Sequence, residues 1–144
     1  MEKLYKQLSD TQASLFVLFQ KTWVYHWHIT GPDFKQIHDL FGEQYTALFE
    51  EIDRISEHMR YLDVKPVSNL TRVVEVSEIS ESNSGLTEMQ MISDLLEDHK
   101  KIIDLLGRVA EESENLKSRG TTNLVDDLNE AHGKFVWMLR SFLQ

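Results

Sequence analysis

Hydrophobic positions recur at intervals of three and four over four long stretches of this chain, the spacing of one face of an α-helix. The first stretch runs from about Leu4 to Ile29, through Leu8, Ala13, Leu15, Phe16, Leu18, Phe19, Trp23 and Trp27. It is too apolar all round for a helix that buries a single face. Its start is open, because Ser9-Asp10-Thr11 would either cap it late or lie on its outer face. Gly31-Pro32 ends it. The second stretch runs from about Asp33 to Leu62 along Phe34, Ile37, Phe41, Tyr45, Leu48, Ile52, Ile55 and Met59, with Asp33 as N-cap or first-turn residue. The third, from about Thr87 to Lys117, carries Met89, Ile92, Leu95, Leu96, Ile102, Ile103, Leu106 and Val109, and Ser118-Arg119-Gly120 closes it. The fourth starts at Thr122 or Asn123 and reaches Leu143 along Leu124, Leu128, Ala131, Phe135, Leu139 and Phe142.

Between the second and third stretches lies a long link, Asp63 to Gly85, whose middle, "SNLTRVVEV", reads as one or two turns of helix with a Ser or Asn cap. One long connection between two short ones is the pattern of a four-helix bundle with a single crossover. Helices two and three then run parallel, and the link spans the bundle. The expected fold is all-α, in one domain over residues 1–144.

Composition narrows the chemistry. There is no cysteine, which excludes disulfides, thiolate metal sites and cysteine nucleophiles, so any metal must be held by His and carboxylate. The start, "MEKLYKQLSD", lacks an apolar core of signal-peptide length, and no segment is apolar enough to span a bilayer, so the cytoplasm is the expected location and no membrane partner is expected. A net charge of −9, spread along the chain, disfavours nucleic acid and anionic lipid and suits a protein that attracts cations.

Three of six histidines flank the Gly-Pro turn in "YHWHITGPDFKQIH". His26 lies six residues before Pro32 and His38 six after it, so in an antiparallel hairpin the two imidazoles share one height. His28, two residues on from His26, faces roughly 200° away. Two imidazoles alone hold Fe²⁺ poorly, and carboxylates should complete such a site. Asp53 and Glu57 supply an i,i+4 pair on the second helix. Asp53 is 15 residues from His38, about 22 Å along a helix, so one chain cannot bring both to one ion. Each chain therefore carries two half-sites, and two chains around a two-fold axis with antiparallel second helices would complete two sites. The other arrangement for a four-helix di-iron protein, an intra-bundle site from two Glu-x-x-His motifs, finds no support. The residues three before the six histidines are Trp23, Tyr25, Lys35, Ile55, Leu96 and Asn129.

At these residues the chain resembles the Dps family, the miniature ferritins named as DNA-binding proteins from starved cells. The resemblance is carried by "HWHITGPDFKQIH" and "DRISEH", with His26, His38, Asp53 and Glu57 separated by 12, 15 and 4, and by the closing "KFVWMLRSFL" around Trp137. It implies a ferritin-like bundle assembled as a homo-dodecamer of 23 symmetry. It also implies ferroxidase activity at two-fold interfaces, with hydrogen peroxide preferred over oxygen, and a stored ferric oxide core that guards against oxidative damage. Carried across, His26, His38, Asp53 and Glu57 become the catalytic iron ligands and Trp27 the aromatic beside them. One departure stands out: many members have an aspartate four residues after the second histidine, where this chain has Gly42. That puts the second iron position in doubt and makes His28 a candidate extra ligand. Zinc or manganese would suit the same ligands, because residue type does not fix the metal.

The acidic Asp126, Asp127 and Glu130 fall where the family has three-fold iron-entry pores, and equally suit a solvated helix N-terminus. His58, His99 and His132 read as structural. The alternative function is a DNA-compacting shell with little or altered metal activity. Against it, only Lys3 and Lys6 lie near the start, and twelve copies at −9 give a shell of about −108, so DNA binding is expected to be weak or absent.

Overall fold

The computed structural model describes all residues, Met1–Gln144. Five helices occur in the order α1 (Glu2–His28), α2 (Phe34–Tyr61), α3 (Leu70–Val76), α4 (Glu88–Asn115) and α5 (Arg119–Phe142). The four long ones form the bundle, and the apolar faces read from the sequence meet in a single core that includes Leu8, Leu15, Phe41, Leu48, Ile55, Leu95, Ile102 and Leu128. α1 runs unbroken from Glu2, so Ser9-Asp10-Thr11 lie inside it. There Asp10 pairs with Lys6 and the Thr11 hydroxyl donates to the Gln7 carbonyl.

The crossover lies along α1. The Gln12 side chain makes two hydrogen bonds of 3.0 Å with the backbone of Val67, Ser14 Oγ accepts from Glu78 N–H at 2.9 Å, and Tyr25 Oη accepts from Asn83 N–H at 3.2 Å. Successive anchors at 12, 14 and 25 carry the chain back to the end where α2 began, so α2 and α4 run parallel. α3 is the expected short helix, capped by Asn69, whose side chain accepts from Arg72 N–H. α4 opens on a capping box between Thr87 and Gln90.

Two helix ends differ from expectation. Asp33 holds the expected N-cap position of α2, but its side chain makes no capping hydrogen bond; its N–H donates to Glu88 Oε2 at 3.3 Å, tying the α1–α2 turn to the start of α4. That contact requires Gly31, at φ +127°, because any Cβ there would overlap the Glu88 carboxylate. The other difference is the α4–α5 turn. It is made by Lys117 in the left-handed region, with Ser118 N–H donating to the Ser113 carbonyl at 2.8 Å, and Gly120 belongs to the first turn of α5. A lysine takes the conformation expected of glycine, so the glycine no longer marks the boundary.

One ion cluster sits inside the core. Lys21 Nζ is 2.7 Å from Asp98 and 3.0 Å from Asp94, and Tyr25 Oη donates to Asp94 at 2.6 Å. Burial pushes the Asp98 carboxyl up, opposed by the Lys21 ammonium. Lys21→Met is expected to cost about 3–5 kcal/mol, because it leaves buried carboxylate unpaired, and chemical denaturation measures that loss.

Candidate metal centre

His26 lies in the last turn of α1 and His38 in the second turn of α2, and the Gly31 turn folds them face to face. Their rings stack with centroids 3.8 Å apart and planes 14° from parallel. Each Nδ1 lies 2.8 Å from the other residue's backbone carbonyl. A carbonyl only accepts, so both Nδ1 atoms carry the proton, and in the neutral rings both Nε2 atoms keep lone pairs. Two imidazoles are thus oriented and fixed in the metal-binding tautomer by backbone alone, as outer hydrogen bonds do for metal-bound histidines. Phe34 stacks on His38 at 5.0 Å, and the edge of Tyr45 meets His26 at 5.2 Å.

Gly42 lies against this pair. A Cβ at position 42 would come 3.2 Å from His26 Cε1, so the absent side chain leaves the imidazole room beside α2. His28 is exposed and lines a separate cleft with Tyr25, Ser82, Asn83 and Gly85. Within one chain it does not join His26 and His38.

Asp53 and Glu57 lie on the exposed face of α2, one turn apart. They converge closely enough that hydrogen bonding to Asp53, then its charge, pushes the Glu57 carboxyl up. Two carboxylates this close are a pair that a bound cation would relieve of mutual repulsion. Within one chain no three His, Asp or Glu side chains converge to hold a metal ion.

The two halves are joined by an apolar face. Phe19, Trp23, Trp27, Tyr45 and Phe49 form a continuous ladder across α1 and α2, with successive centroids 5.0–6.3 Å apart. Trp27 is 55% exposed and Phe49 63% exposed. Along α2, His38, Tyr45, Phe49, Asp53 and Glu57 follow one stripe. An exposed aromatic surface of this extent marks an interaction site.

Asp126, Asp127 and Glu130 are all exposed, but because α5 already begins at Arg119 they lie about two turns or more inside it rather than at its N-terminus, and Asp127 Oδ2 is engaged by Arg54 at 2.7 Å. Only Asp126 and Glu130, one turn apart, are left without such a partner. His58 caps neither site; it lies 2.8 Å from the Thr121 hydroxyl and stacks on Tyr61.

Comparison with known proteins decides the family. The sequence matches the ferritin-like domain family over residues 5–144. It is 32% identical over 143 residues to DNA protection during starvation protein 2 of Bacillus anthracis, covering 99% of this chain and 95% of that one. This chain belongs to the Dps family. The Dps of Thermosynechococcus elongatus superposes with a TM-score of 0.96 at 32% identity, over 99% of this chain and 91% of the other. The Dps of Vibrio cholerae superposes at 0.95 and 26% identity, over 99% and 90%, and is described as a member of a broad superfamily of ferritin-like diiron-carboxylate proteins. The five-helix Dps architecture, with its short extra helix on the crossover, is therefore the fold of this chain.

Sequence reasoning missed one feature: Glu51, His99 and His132 meet in the bundle interior. Each sits on a core face among apolar residues, on three different helices. No spacing along the chain signals their contact.

Proposed function

We propose that this Dps chain is a miniature ferritin that oxidises Fe²⁺ at sites shared between two subunits and stores the ferric product inside a shell. The observation that carries the reading is the reciprocal pair of Nδ1 hydrogen bonds, which leaves the Nε2 lone pairs of His26 and His38 available together. In a two-fold dimer with antiparallel α2 helices, these nitrogens meet Asp53 and Glu57 of the second copy, and the Trp27–Phe49 ladder is covered. The donor set then pairs borderline nitrogen with hard carboxylate oxygen, which accepts Fe²⁺ and retains Fe³⁺. Hydrogen peroxide is the proposed oxidant: two Fe²⁺ give one electron each, the O–O bond breaks, and hydrolysis of the ferric product releases protons.

The proposed assembly is twelve copies with 23 symmetry, a particle of about 200 kDa from chains of 16.9 kDa. Asp126 and Glu130 are proposed to line iron entry at the three-fold axes. The cytoplasm is the proposed location. Incubating the metal-free protein with Fe²⁺ and peroxide should give ferric absorbance and an iron-loaded particle. No absorbance above a protein-free control would refute the activity.

The raised Glu57 carboxyl gives the site a pH dependence. Metal binding needs the carboxylate, so affinity falls as pH drops through a Glu57 range above that of an ordinary glutamate. Titrating a redox-inert divalent cation such as Zn²⁺ in weakly acidic, lightly buffered solution should therefore release protons, and Glu57→Gln should reduce that release. DNA binding is proposed to be weak or absent near neutral pH: plasmid mixed with the shell at moderate salt should migrate with little or no retardation, because twelve acidic subunits repel phosphate.

A further inference from the structure

Away from the α1–α2 face, three buried titratable side chains from three helices form one hydrogen-bonded chain. Nε2 of His132 on α5 lies 2.6 Å from Oε2 of Glu51 on α2, and its Nδ1 lies 2.7 Å from Nδ1 of His99 on α4. Both imidazoles are fully enclosed and Glu51 is 5% exposed. The remaining nitrogen, His99 Nε2, is buried with no hydrogen-bond partner.

The protons of this chain can be counted. The Glu51 carboxylate only accepts, so His132 Nε2 carries a hydrogen. Two Nδ1 atoms in hydrogen-bond contact share one proton. With both rings neutral, His99 donates Nδ1–H to His132, and His99 Nε2 keeps its lone pair. One further proton can enter at His99 Nε2 while the shared proton passes to His132. The positive charge then lies on the ring beside Glu51, and no heavy atom has moved. A second further proton would set two N–H groups against each other and add a charge with no counter-ion.

Nothing else in the core supplies that counter-ion. Lys21, Asp98, Asp94 and Tyr25 satisfy one another in the separate α1–α4 cluster. Phe135 of α5 packs against both imidazoles, with centroids at 5.5 and 6.2 Å. The other buried polar side chain of α2 on the core face, Gln44, is uncharged.

We propose that His99 and His132, held by Glu51, form a buried site for a single proton, an acid-sensitive latch that joins α2, α4 and α5 and rejects the next proton. Burial, then the charge of His132, holds the His99 imidazole well below its ordinary range, in accord with this count. The sign for stability follows. Below about pH 6.5 the unfolded chain protonates both imidazoles, whereas the folded chain accepts one proton between them. Unfolding then takes up one proton here, so this stability is present above about pH 6.5. It is lost as pH falls, by about tenfold in the folding equilibrium per pH unit.

The test begins on the assembled wild-type protein, labelled at histidine with ¹⁵N and sedimented for solid-state NMR. From pH 7 to 5, one coupled imidazole pair should pass to a single imidazolium hydrogen-bonded to a neutral ring. Two independent titrations, or two imidazolium rings in the folded protein, would overturn the proposal. Proton uptake on unfolding at pH 5, from calorimetry in buffers of different ionisation enthalpy, gives the second reading. His99→Phe should lower the uptake by about one proton, and Glu51→Gln should raise it by up to about one. Equal uptake in wild type and in whichever variants fold would also overturn it.

Discussion

Replacing His26 and His38 together by alanine is expected to reduce Fe²⁺ oxidation by peroxide to the protein-free rate, a loss of more than about 100-fold. The reason is local. Both rings sit at the surface end of the α1–α2 hairpin, and their Nδ1 protons go to carbonyls of the helices themselves. Removing them takes away every nitrogen donor of the half-site and leaves the Leu, Ile and Phe core untouched. Helix content by circular dichroism and particle mass by light scattering should therefore match wild type, while ferric absorbance is lost. A double variant that oxidises iron at the wild-type rate would end the iron-site reading of these residues.

The second large effect comes from mixing two inactive proteins. A chain lacking the imidazoles (His26→Ala/His38→Ala) and a chain lacking the carboxylates (Asp53→Asn/Glu57→Gln) should each be inactive alone. Unfolded and reassembled together at equal amounts, they should regain about one quarter of wild-type activity. Half of randomly formed dimers are mixed, and each mixed dimer holds one intact site and one with neither half. Sites confined within one chain would give no recovery, because no chain in the mixture carries both halves. Intermediate values locate incomplete exchange, which the recovered mass of differently tagged chains measures directly.

The histidine turn shows how much of this site lay in plain sequence. Equal offsets of His26 and His38 from Pro32 were enough to place them at one height, because an antiparallel hairpin conserves distance from its turn. The separation of His38 from Asp53 was enough to show that one helix cannot bring both to one ion, because a helix rises by a fixed amount per residue. The tautomer was not legible. It depends on two carbonyls reached only when α1 and α2 pack closely, and Gly42 leaves the His26 ring room for that approach. The α4–α5 boundary was misplaced for a similar reason. Glycine is the usual left-handed residue, yet backbone hydrogen bonds hold Lys117 there instead.

By itself, the sequence determined four amphipathic helices, one crossover, and a separation of His38 from Asp53 that no single helix can close. Those follow from periodicity and rise, which are properties of a helix taken alone. The tertiary structure decided which long-range polar groups meet: Lys21 with Asp94 and Asp98, Arg54 with Asp127, and the Glu51–His132–His99 chain. Such contacts join residues 33 to 81 positions apart on different helices. Their pairing is fixed by helix rotation and height in the packed bundle, and neither quantity is written in the spacing along any one helix.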